Sequence, residues 1–302
     1  MNYTQALLKA VDIESYYCVV ESGNMKISLD ADFASMSQGN HIILCLPFKN
    51  DTTFLECTDK EVPFGFMGDF TDDRTVLACT SQGGKLLRTP KYTAADNLQQ
   101  RNATLDIDAE GLLKGNMQTI YKGTQYDNME AIVRELPADR IKEYKKIYPI
   151  NNLEIEKIEL VQDKGLQPVT KEQLTFSAYD YASVNGGKLY FTPNIVNRSR
   201  APLRDVRNRK NAVYINRGYT DEDEIIYNIP AGYKPEKQPL MVFINKPFGK
   251  FTASVTVKDN RLAYKRNIQL IEGSYSKETY AELVEFFQQV LDADQYSVTL
   301  SK

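Results

Sequence analysis

Phe251, Ala253, Val255 and Val257 alternate with other residues, and Asp259-Asn260 then turns the chain into a second run over 262–270. A period of two puts every second side chain on one face, the pattern of a strand with one buried side. From about residue 98 this rhythm dominates. Residues 102–107 and 112–121 flank Asp108-Ala109-Glu110-Gly111, a hairpin signal. Leu153 and Ile155, then Ile158 and Leu160, alternate with a one-residue slip at Lys157, which predicts a bulge. Leu174, Phe176 and Ala178 mark one face of a further strand, and 296–300 closes the chain as another. Short strands punctuated by turns predict a β-sandwich.

Two segments break the rhythm. Residues 138–148 have helical spacing, with Ile141, Tyr144 and Ile147 (or Tyr148) on one side. Residues 277–291 carry Tyr280, Leu283, Phe286, Phe287, Val290 and Leu291 at helical spacing, with Ser276 as the expected N-cap. The first ninety residues differ again. A short helical stretch at 6–11 precedes strand-like runs at 15–20, 40–48 and 53–57, the last two joined by a turn at 49–51. Strand signals at 76–80 and 85–88 are separated by Gly83-Gly84, and 90–97 has the composition of a linker. The expected class is α+β, with a partial antiparallel sheet over 1–90 and a mainly-β sandwich domain with its helices over 91–302.

Composition excludes several functions. A net charge of -3 gives no reason to expect nucleic acid as a partner. No stretch approaches the roughly 20 apolar residues of a membrane span. No signal peptide opens the sequence, so as written the chain is expected in the cytoplasm, or in the periplasm or cell envelope if the start is truncated. Cys18, Cys45, Cys57 and Cys79 match no zinc spacing, and one histidine cannot complete such a site. No metal or other cofactor is expected, and the cysteines are expected to be buried free thiols. Arg198, Arg200, Arg204, Arg207, Arg209 and Lys210 form a basic run, soon followed by Asp221-Glu222-Asp223-Glu224. Internal charge compensation is the expectation there. Phe64 and Phe66, beside glycines, are expected to pack onto the core rather than line a groove.

One constellation could carry chemistry. His41, the only histidine, lies in one strand-like run, and Glu56 lies in the next. In a cysteine hydrolase a thiolate attacks an acyl carbon, a histidine moves the proton, and a third polar group orients the imidazole. One architecture places histidine and acid on neighbouring antiparallel strands packed against a helix whose N-terminus carries the thiol. Helix, strand, histidine strand and acid strand follow in that order over residues 1–58. None of the four cysteines opens a helix. Cys45 shares a face with His41 but lies roughly 13 Å along the strand. Cys57 is expected to point away from the face of Glu56.

At this point the chain resembles a known family. The phrases Ala6-Leu7-Leu8-Lys9-Ala10-Val11-Asp12-Ile13, Asn40-His41-Ile42-Ile43-Leu44, Phe54-Leu55-Glu56-Cys57-Thr58, Pro63-Phe64-Gly65 and 83–90 resemble the second half of a bacterial transglutaminase-like core, of the papain-like cysteine hydrolase superfamily. Residues 98–302, with Gly273-Ser274-Tyr275, resemble the β domain that follows that core. The resemblance implies that His41 and Glu56 occupy the family's histidine and acid positions. It places the family's cysteine a few residues before Met1 and a glycine where this chain has Asp12. Glutamate in place of the usual aspartate is one methylene longer and is expected to need a small strand shift. These departures imply a vestigial His41–Glu56 pair in a non-catalytic remnant that binds or scaffolds, with a peptide or glycan at the cell envelope as its ligand. The alternative is a cysteine peptidase or amidase whose thiol comes from an upstream segment or partner polypeptide. Either way residues 1–60 are expected to self-associate or meet another chain, through apolar surface near Ala6, Leu7, Tyr17 and Ile43.

Overall fold

The computed structural model describes residues 1–302 apart from 50, 199, 200, 207 and 238. Asn50 of the expected turn, and Arg200 and Arg207 of the basic run, thus lie outside the described residues. The fold is α+β, and the chain forms two compact units. The first comprises Met1–Tyr92, Lys122–Asn128 and Gln162–Val169; the second comprises Thr93–Tyr121, Met129–Val161 and Thr170–Lys302.

The first unit contains α1 (Asn2–Ala10), β1 (Tyr16–Val20), β2 (His41–Leu46), β3 (Thr53–Leu55), β4 (Thr75–Thr80), β5 (Gly83–Arg88) and the short α2 (Thr124–Asp127). Its sheet has the order β3-β2-β1-β4-β5, and every pair is antiparallel. Cys18, Val20, Ile43, Cys45, Phe54, Met67, Val76 and Ala78 form its core, because period-two residues of neighbouring strands share a face. Ile43 is therefore buried, against the expectation that it would be exposed; Tyr17 is half-buried, while Ala6 and Leu7 are exposed. The β4–β5 turn is made by Ser81-Gln82, since Thr80 pairs with Gly83; both glycines belong to β5.

Helix α1 buries none of its side chains, so packing contributes little to it. Tyr17 Oη donates to Asn2 Oδ1 at 3.0 Å and Gln5 Nε2 to the Ser15 carbonyl at 3.1 Å, tying it to β1. Asp12, just past its end, has φ 58°. That left-handed conformation favours glycine at a helix C-terminus and tolerates aspartate.

The second unit opens with the hairpin of β6 (Leu98–Ile107) and β7 (Leu113–Lys122), closed by Gly111 at φ 92°. Helices α3 (Glu130–Arg134) and α4 (Pro137–Ile147) lead to β8 (Leu153–Asp163) and β9 (Val169–Ala178). Next come β10 (Ser183–Asn185), β11 (Lys188–Phe191), β12 (Val213–Ile215), β13 (Tyr219–Asn228) and β14 (Lys234–Pro235). The chain ends with β15 (Met241–Lys246), β16 (Gly249–Lys258), β17 (Arg261–Leu270), β18 (Gly273–Tyr275), α5 (Thr279–Asp294) and β19 (Val298–Ser301). Eight strands form one sheet in the order β15-β16-β17-β13-β6-β7-β9-β8, and four form a second, β10-β11-β19-β14. Residues from both sheets, among them Leu105, Phe176, Tyr264, Leu189 and Leu300, share one core together with Tyr144 and Tyr148. Helix α5 covers a second core with Leu283, Phe286 and Val290 against Phe251 and Ile268.

Asp259 and Asn260, both at positive φ, make the two-residue β16–β17 turn. The burial parity of β8 slips at Glu156 and Lys157, both exposed between half-buried Ile155 and Ile158. Two expectations fail. Ile141 and Ile147 face solvent on α4; Tyr144 and Tyr148 point inward because their hydroxyls have a buried carboxylate to meet. Ser276 is not the N-cap of α5: its carbonyl accepts from Thr279 N in a turn, and the helix starts three residues later.

Candidate functional site

Strand β2 begins at His41, opposite Val20 of β1. The run-in to it is anchored. Asn40 N donates to the Val20 carbonyl at 3.1 Å, and Asn40 Oδ1 accepts from Ser22 N at 2.8 Å. Gly39 is required there, since a Cβ would collide with the Val19 side chain. Fully buried Arg74 donates to the carbonyls of Glu21 at 2.5 Å, Gly23 at 2.7 Å and Asp72 at 3.1 Å, fixing the start of the β1–β2 connection.

On the other side of β2, β3 pairs Leu44 with Leu55 and Cys45 with Phe54. Glu56 follows directly, on the face of Phe54 by alternation. His41 Nε2 and Glu56 Oε2 lie 2.8 Å apart. No strand shift is needed, because β3 ends at Leu55 and the backbone at Glu56 is outside the ladder, free to accommodate the extra methylene. The other carboxylate oxygen, Oε1, accepts from Thr58 N at 3.0 Å and Thr58 Oγ1 at 2.7 Å. Burial pushes the Glu56 carboxyl up, but the bonds from His41 and Thr58 outweigh it and hold it below the usual glutamate range. Both side chains are mostly covered, with 15% of His41 and 9% of Glu56 exposed. Phe70 packs edge-on against the imidazole, centroids 5.5 Å apart.

This arrangement fixes the imidazole chemically. With a carboxylate at Nε2, the neutral ring carries its proton there, and Nδ1 presents its lone pair. Among the described residues, no hydrogen bond engages Nδ1. The ring can thus accept one proton at Nδ1 while Glu56 stabilises the imidazolium that results.

None of the four cysteines, all free, is placed as a nucleophile. Cys18 and Cys45 are sealed in the core; the neighbouring Cys45 thiol holds Cys18 up and Cys18 holds Cys45 down, while Cys18 Sγ donates to the Tyr16 carbonyl at 3.9 Å. Cys57, half-buried, has its thiol pushed up by burial and donates to the Leu55 carbonyl at 3.8 Å, and Cys79 is exposed on β4. Cys57 and Cys79 thus depart from the expectation of buried thiols, since neither lies on the inward face of a central strand.

Phe66 is buried against Tyr92 and Tyr126, as expected, whereas Phe64 is 51% exposed. The acidic run lies in β13. Asp223 meets Arg101 and Glu224 meets Lys265 across the sheet, while Arg209 stacks over Tyr280. Thr58 and Phe70 escaped the sequence reading. A signal for Thr58 exists, since a carboxylate followed two residues later by threonine makes a local turn. Among the described residues, no cluster of histidine, cysteine or carboxylate side chains could hold a metal ion, and no helix is long and apolar enough to cross a membrane.

Comparison with known proteins adds the fold's relatives. Over 99% of its length the chain superposes on a crystal structure from Parabacteroides distasonis described as a "putative protease", with a TM-score of 0.53 and 13% sequence identity. The chain spans 42% of that protein's length. Residues 187–300 match the model of a domain of unknown function with a solved structure (DUF3858). A comparison with curated proteins returns no match. At this identity the likeness is one of fold: an α+β, sandwich-like protein similar to a protease-like one.

Proposed function

We propose that the first unit carries the histidine–carboxylate half of a transglutaminase-like cysteine hydrolase site, and that it acts on an acyl group only when a thiol from outside these residues meets His41. The observation that carries this reading is the 2.8 Å contact between His41 Nε2 and Glu56 Oε2, with Nδ1 left open. In the reaction Nδ1 takes the thiol proton and the thiolate attacks the acyl carbon. The imidazolium then returns the proton to the leaving amine, and water, deprotonated by the same nitrogen, cleaves the thioester. The superposition on a protein described as a protease supports the same class.

Small-molecule rescue tests it. The chain should accelerate thiol-dependent cleavage of an activated ester by added 2-mercaptoethanol, on the order of tenfold, with His41→Ala abolishing the gain; a freely diffusing thiol recovers only part of what a positioned base supplies. An equal rate with His41→Ala would remove the proposal. A second reading, a non-catalytic module that binds or scaffolds, is favoured by one observation: Cys18 and Cys45 are core residues. On that reading no thiol, added or tethered, yields turnover.

A further inference from the structure

The eight-stranded sheet of the second unit turns one face to its cores and the other outward. The outward face is lined by amides and hydroxyls. Asn102, Asn116, Gln118 and Gln173 line a cavity of about 570 Å³. Gln100, Glu222, Thr252, Ser254 and Asn267 line a second of about 330 Å³, and the two share Asn102 and Glu224. Register makes them one groove across the strands. Phe243 pairs with Thr252, Thr252 with Asn267, Asn267 with Glu222 and Glu222 with Gln100. The next row runs Met241, Ser254, Lys265, Glu224, Asn102 and Gln118. From β15 to β9 the groove spans roughly 30 Å at the usual strand spacing.

Its chemistry selects a ligand. Glu222 accepts from Gln100 at 3.0 Å and Asn267 at 3.1 Å, and Glu224 pairs with Lys265 at 3.0 Å, so the charges are answered within the sheet. The side-chain amides of Asn102, Gln118 and Gln173 make no hydrogen bond among the described residues, and each offers both donors and an acceptor. At the rim Phe243 is 74% exposed on an edge strand. A polyanion or polycation finds no complementary charge here. An extended peptide uses its backbone groups at a sheet edge rather than on a face. A sugar chain offers what remains, neutral hydroxyls for the amides and apolar C–H faces for an aromatic ring.

We propose that this face binds a neutral linear oligosaccharide laid across the strands, with Phe243 as its stacking platform. The site is independent of His41. The test is titration of the ¹⁵N-labelled protein with cellohexaose, maltohexaose, xylohexaose, mannohexaose and chitohexaose. At least one should shift the side-chain amide signals of Asn102, Gln118 and Gln173 at millimolar concentration. Phe243→Ala should weaken it about five- to tenfold, the size of one lost aromatic contact, and Asn102→Ala should weaken it as well. His41→Ala should leave it unchanged, which separates this site from the hydrolase reading. Both groove substitutions are at exposed positions, and an unchanged thermal midpoint checks that the fold is intact. The proposal is overturned if all five sugars leave those signals in place, or if affinity survives Phe243→Ala. It is equally overturned if the groove instead closes on a second copy, seen as a concentration-dependent mass lost in Phe243→Lys.

Discussion

Each unit holds a polar cluster, and the two differ in one respect. In the second unit Arg101 Nη1 bonds Asp223 Oδ1 at 2.8 Å, and Arg266 Nε bonds Asp294 Oδ1 at 2.8 Å. Glu172 accepts from Thr119, Tyr121, Tyr144 and Tyr148 at 2.6–3.2 Å. Asn197 adds a bond to Asp223 and Asn194 one to Asp294. Burial holds the Tyr121 phenol up to about 12 and pushes Tyr144 and Tyr148 up as well, so all three remain donors. Apart from Arg266 Nη1, which has no hydrogen-bond partner among the described residues, the cluster is paired within itself and buried. The His41–Glu56 pair is also fixed by several bonds, yet it leaves a nitrogen open beside partly accessible surface. Saturated polar groups in a core specify packing; a positioned group with an unused lone pair is equipped for chemistry.

The largest expected effect lies in the closed cluster. Arg101→Ala leaves Asp223 short of its buried charge partner and should cost about 3–5 kcal/mol, read by denaturant unfolding. His41→Ala should instead cost on the order of 1 kcal/mol or less, the value of one partly exposed hydrogen bond. If His41→Ala proves as destabilising as Arg101→Ala, the pair is structural and the contrast fails.

A pH series sharpens it. The folded Glu56 carboxyl sits below its ordinary range, so the pair's contribution is present above that range and lost as pH falls through the folded value. The difference in thermal midpoint between the chain and Glu56→Gln should therefore shrink on acidification below about pH 4. A difference that goes on growing as pH falls below that range would contradict the sign. The smallest effect concerns α1. Asp12→Gly relieves a left-handed backbone and should stabilise the chain by about 0.5 kcal/mol, without moving any signal of His41.

The alternating strands of β16 and β17, their Asp259-Asn260 turn and the apolar face of α5 were legible, because each is a local pattern. The meeting of His41, which opens β2, with Glu56, which directly follows β3, joins residues only 15 apart and is local in the same sense. The closed cluster was not. Arg101 and Asp223 are 122 residues apart, and each occupies an inward position where alternation alone calls for an apolar residue. On α4 the spacing points to Tyr144 and leaves Ile147 and Tyr148 as alternatives, because Glu172, which draws both tyrosines inward, arrives from β9. For Asp223 and Glu224 of the acidic run, the partners Arg101 and Lys265 likewise arrive from across the sheet, which sequence proximity does not reveal.

The central claim is that Glu56 holds the imidazole with Nδ1 open. One histidine gives one imidazole spin system, so long-range ¹H–¹⁵N correlation on ¹⁵N-labelled protein above neutral pH reads its tautomer directly. The account predicts the Nε2–H form in the chain and a shift away from it in Glu56→Ala. A predominantly Nδ1–H ring, or a tautomer indifferent to Glu56→Ala, would contradict it.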